Sequence, residues 1–81
     1  MSAMEDREFI INYMVQKEMD RARDIIGGIK NPQDGIDLIM GYISKAEKGI
    51  VSGVEVSDIQ EQLIKIAATS MALSIDVCYD S

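Results

Sequence analysis

Residues 57–79 read SDIQEQLIKIAATSMALSIDVCY, and the reading of this stretch decides the fold. It contains no glycine or proline, the residues that most readily interrupt a helix. At about 100° per residue, Ile59, Leu63, Ile66, Leu73 and Val77 form one apolar face. Ile64, Ala68, Met71 and Ile75 form a second, about 140° around the helix. Only Glu61, Lys65, Thr69 and Asp76 keep a narrow strip polar. A helix apolar over so wide an arc is buried on more than one side. A short chain has little else to cover it, so the expected cover is a second copy. Ile64, Ala68, Met71 and Ile75 are the expected oligomer interface.

The chain has 81 residues, the length of one domain. Cores of this size are commonly reinforced by disulfides, metals or oligomerisation. Cys78 is the lone cysteine and there is no histidine, which excludes an internal disulfide and a Cys/His zinc site. Self-association is the remaining route, and 47% hydrophobic residues with six methionines favour it. The net charge of −6, from 14 acidic and 8 basic residues, argues against nucleic-acid binding through phosphate neutralisation. The acids alternate with Lys and Arg rather than massing as in a mimic of DNA. The start MSAMEDREF lacks the basic-then-apolar pattern of a secretory signal. No stretch has the roughly 18 uninterrupted apolar residues of a membrane span. A cytoplasmic setting with a reduced thiol is expected.

Two further helices precede the deciding one. Ser2 and Glu5 have capping-box spacing. From about residue 4 to 26 the apolar positions Ile11, Val15, Met19, Ala22 and Ile26 share one face, with Lys17, Asp20, Arg23 and Asp24 opposite. Gly27-Gly28 is the expected stop. Asn31-Pro32 opens the second helix, over about 32–51, as N-cap and first-turn proline. Its expected inward residues are Ile36, Ile39, Met40, Ile43, Ala46 and Ile50. Gly35, Gly41 and Gly49 either lie tolerated on its surface or let another element approach. Ser52-Gly53 ends it, and Ser57 with Gln60 is the expected cap of the third helix, over about 57–79. Short connections predict antiparallel neighbours. The fold class is all-α: a three-helix antiparallel protomer, one domain over 1–81, assembling into a helical-bundle homo-oligomer.

Two carboxylates fall on apolar arcs. Glu18 lies between the directions of Ile25 and Ile11, and Glu47 between those of Ile36 and Met40. A charge so placed needs a partner, a metal or a route to solvent. The two read either as an inward cluster for a divalent ion or polar ligand, or as ion pairs and edge positions. Ser70 is expected to face inward with Thr69 and Ser74 nearby, and Tyr13 and Tyr42 to lie off the main faces. Nucleophilic catalysis has no support, since no histidine activates Cys78 or a serine.

The segments DGIDLIMGYISKAEKGIVSG (34–53) and SDIQEQLIKIAATSMALSID (57–76) resemble the central helix pair of the MazG-like all-α nucleotide pyrophosphohydrolases, in the style of short phage-encoded members. In active members the first helix supplies an E-x-x-E pair and the second an E-x-x-D pair, and the four carboxylates hold Mg²⁺ that carries the triphosphate. Here Glu47 matches in the first pair, while Ser44 stands in the other place with Lys45 beside it. Glu61 matches in the second, while Ile64 or Lys65 replaces the aspartate. The resemblance therefore implies a non-enzymatic small binding protein that sequesters a nucleotide-type ligand or docks on a host protein. Lys45, Lys48 and Lys65 would meet phosphates where the family uses a cation. The expected ligand-binding residues are Glu18, Glu47, Lys45, Lys65 and Thr69, with no cofactor. The alternative is a Mg²⁺-dependent pyrophosphohydrolase in which Glu47 and Glu61, helped by Glu18, bind the metal.

Overall fold

The computed structural model describes residues 3–26 and 29–79. The expected cap Ser2 and the expected stop Gly27-Gly28 lie outside the described residues. Three helices follow one another: α1 (Ala3–Ile26), α2 (Pro32–Ser52) and α3 (Val56–Leu73), the last prolonged by a wider π-helical turn over Ser74–Cys78. No strand occurs among the described residues. None of the described helices is long and apolar enough to cross a membrane.

The second helix begins as its sequence dictates. The Asn31 side chain accepts from the Asp34 backbone N–H at 2.9 Å and donates back to the Asp34 carboxylate at 3.0 Å. Pro32 fills the first turn, where a missing N–H costs nothing. Gly53 ends α2 at φ 77°, a left-handed conformation that glycine adopts without penalty. The Val54 N–H closes the cap on the Gly49 carbonyl at 3.0 Å. The N-cap of the third helix falls two residues earlier than its capping pattern suggests. Glu55 is its N-cap and makes no side-chain capping bond, so Ser57 lies inside the helix.

α3 is the central element and packs against both other helices. Gly35, at the start of α2, meets Leu73 at the end of α3, while Gly49 meets Val54 and Ile59 at the other end. α2 and α3 therefore run antiparallel. α1 runs in the same sense as α3, because Tyr13 lies near Ser57 and Arg23 pairs with Asp76. The direction alternates up, down, up along the chain, yet the α1–α3 pair is parallel.

The core lies between α1 and α3: Val15 and Met19 against Ile64, Ala68 and Ala72, with Ile11, Ile29 and Ala67 at its edge. Ile64 and Ala68 are only 8% and 2% exposed. The arc that looked in need of a second copy is thus covered at these two positions by α1 of the same chain. Met71 and Ile75, which alternate with Ala72 and Asp76 at the level of the α1 C-terminal half, stay exposed.

The orientation of α2 departs from the hydrophobic pattern. Its buried residues are Gly35, Ala46 and Gly49, with Leu38, Ile39 and Tyr42 half-buried. Ile36, Met40, Ile43 and Ile50, expected inward with Ile39 and Ala46, are exposed. The reason is steric. A Cβ on Gly35 would stand 2.9 Å from the Leu73 methyls, and one on Gly49 2.8 Å from Val54 Cγ2. The glycine face permits a close approach that the isoleucine face does not. Gly41 has nothing within 4 Å and is the tolerated surface glycine.

Candidate functional site

The polar strip of α3 faces the crevice between α1 and α2. Lys65 is its centre. The Lys65 ammonium lies 3.5 Å from Glu61 one turn back on α3, and 5.8 Å from the ring centroid of Tyr42 on α2. Its charge also reaches Glu18 on α1. All three helices thus contribute to the setting of one half-buried cation.

Glu18 is the one predicted intruder that turns inward, its side chain 17% exposed. Arg21 grips it in a bidentate pair, Nε to Oε2 at 3.0 Å and Nη2 to Oε1 at 2.5 Å. The arrangement is an i, i+3 pair on a helix surface, where such neighbours meet. The hydrogen bonds from Arg21 hold the Glu18 carboxyl below its ordinary value of 4.5, against the opposing effect of burial, with the Arg21 and Lys65 charges adding to the lowering. The Arg21 guanidinium is raised in turn, first by its hydrogen bond to Glu18.

Beside this pair a groove of about 630 Å³ opens between α1 and α3. Ile64 and Met14 supply apolar surface, and Tyr13 stands at its wall. The Lys17 ammonium lies over the Tyr13 ring, 5.5 Å from the centroid. Three cations (Lys17, Arg21, Lys65) and two carboxylates (Glu18, Glu61) line it. The balance is positive in a chain whose net charge is −6. Ser57 and Gln60, which do not cap α3, also line it.

Farther along the crevice, Thr69 is buried near Tyr42, Ala22 and Arg23. Arg23, expected on the outer side of α1, instead reaches the π-helical turn and pairs bidentately with Asp76, at 3.0 and 2.7 Å. Ser70 and Ser74, expected inward or near it, are exposed.

The expected residues are brought together only in part. Glu18, Lys65 and Glu61 share the α1–α3 groove. Lys45 borders a neighbouring depression between α2 and α3, with Glu61. Glu47 is exposed on α2 in the stripe of Ile43 and Ile50, so the inward cluster of Glu18 and Glu47 does not form, and an ion pair for Glu18 and an edge position for Glu47 do. The residues do not fit a Mg²⁺ centre of four carboxylates. Glu61 is engaged by Lys65, Ile64 is core, and among the described residues no three acidic or cysteine side chains gather. Sequence reasoning missed Arg21, Lys17 and Tyr13 as parts of the groove. Their only signal was i, i+3 and i, i+4 spacing on α1, which surface helices show routinely.

The chain matches no model of a protein family, no curated protein and no solved structure.

Proposed function

We propose that this is a small non-enzymatic binding protein whose ligand lies in the α1–α3 groove. The observation that carries the reading is the lining of that groove: apolar surface from Ile64 and Met14, an aromatic wall at Tyr13, and a surplus of cations in an acidic chain. Such a lining suits a ligand with a flat apolar body and an anionic end, the chemistry of a nucleotide. The body lies against Tyr13 and Met14, and the phosphates meet Lys17, Arg21 and Lys65. Arg21 and Lys65 already have carboxylate partners, so they are held in place before the ligand arrives. The resemblance to MazG-like proteins points to the same ligand class with the metal replaced by protein cations.

The test separates binding from catalysis. ATP is added with and without Mg²⁺, and thermal unfolding and pyrophosphate release are followed together. The expected result is a rise in Tm without release, reduced in Lys17→Ala and lessened by salt, since exposed ion pairs are screened over about 8–10 Å. Release that disappears in Glu47→Gln would replace this reading with the pyrophosphohydrolase. An unchanged Tm at millimolar ATP would overturn the nucleotide site and turn the search to a protein partner.

A further inference from the structure

We infer that the outer face of α2 is the surface on which a second copy of this chain docks, α2 against α2 and antiparallel. Ile36, Ile43 and Ile50 recur at intervals of seven, the spacing that keeps a seam facing a partner helix. Met40 fills the next turn, 62% exposed, and Val51 extends the stripe at 89%. None of these residues belongs to the α1–α3 core.

The area points to the occupant. The chain exposes 5936 Å², whereas a folded monomer of 9.0 kDa exposes about 4,850 Å². The excess of about 1,100 Å² exceeds the roughly 800 Å² that each partner buries in an interface of standard size. The shape agrees: the radius of gyration is 13.8 Å, against about 11.7 Å for a globular chain of this length. The protomer is a plate of 36 × 36 × 21 Å with an apolar stripe along one outer helix.

The charge on the stripe selects the direction. Glu47 lies among Ile43, Ile50 and Met40. A parallel pairing in register would set Glu47 against its own copy, and like charges in contact repel. An antiparallel pairing about a two-fold axis near Ile43 sets Ile36 against Ile50 and leaves Glu47 within about one residue, ~1.5 Å along the axis, of Met40 of the other copy. The self-association expected for α3 is thereby moved to α2, and none of the stripe residues lines the α1–α3 groove.

Sedimentation equilibrium of the full chain between about 5 and 100 μM tests this. The wild type is expected at twice its 9.0 kDa chain mass. Ile43→Asp is expected at the chain mass with unchanged helical circular dichroism, because Ile43 is exposed and lies outside the core cluster. Glu47→Leu is expected to tighten the dimer at least tenfold, because it removes the charge from the seam. Ile10→Asp, on the exposed face of α1, is expected to leave the dimer intact. A wild type that runs as a single copy throughout would overturn the proposal. So would an Ile43→Asp variant that stays dimeric, or an Ile10→Asp variant that dissociates.

Discussion

Glu18 shows how far one residue's wheel position can be trusted. Its place on the apolar arc of α1 was legible, and the structure does bury most of its side chain. Its partner Arg21 was not singled out, because an i, i+3 pair is common on solvated helices and marks nothing by itself. The pair has a consequence for pH. The Glu18 carboxyl is lowered in the folded chain, chiefly by its hydrogen bonds to Arg21. Its contribution to stability is complete above the ordinary value of 4.5 and fades as pH falls through the lower folded value. Glu18→Gln should therefore unfold at lower urea than the wild type at pH 7, with the gap narrowing as pH falls below 4.5. A gap that widens on acidification would contradict the pairing. Glu47 takes the second reading open to it, an edge position that reaches solvent in the protomer, because the apolar arc around it is exposed rather than inward.

At the scale of elements, the caps were the most readable features. Asn31, Pro32 and Gly53 act locally, so three or four residues suffice to specify them. The inward face of α2 was less readable. Hydropathy selects Ile36, Met40, Ile43 and Ile50, while packing selects Gly35, Ala46 and Gly49, and only the distance to α3 decides between them. The glycines test this choice. Gly41→Ala should stabilise by up to about 1 kcal/mol and raise Tm by roughly 4–8 °C. Gly35→Ala and Gly49→Ala should give no such gain, since each Cβ meets a side chain of α3 or the preceding loop at under 3.0 Å. Equal gains at all three positions would show that α2 presents another face. The Arg23–Asp76 pair joins the ends of α1 and α3 across 53 residues of sequence, with both side chains about one-third exposed. Asp76→Ala should cost up to about 1 kcal/mol in low salt, the upper range for such pairs. A loss that is the same in 1 M salt would assign the effect to packing instead.

For the whole molecule, the wide apolar arc of α3 was read correctly as needing cover on more than one side. The source of that cover was not readable, because a wheel shows which residues seek burial and not which helix arrives. α1 and α2 take the two faces, so the narrow polar strip between them becomes the lining of a crevice rather than a solvated edge. Lys65 and Thr69 gain their interest from that placement. The leftover apolar surface moves to α2, where the dimer seam is proposed. Ile64 now belongs to the core, and Ile64→Ala should cost about 2–5 kcal/mol by urea denaturation, in the range for buried aliphatic side chains. A loss below about 1 kcal/mol would place Ile64 outside the packed centre.

The central position of α3 is tested most directly by residue-resolved amide hydrogen exchange. The account predicts that the slowest amides fall between Ile64 and Ala72, slower than any in α1 or α2, because only α3 is packed on both sides. Exchange along α3 as fast as along α1, with the slowest amides elsewhere, would contradict it.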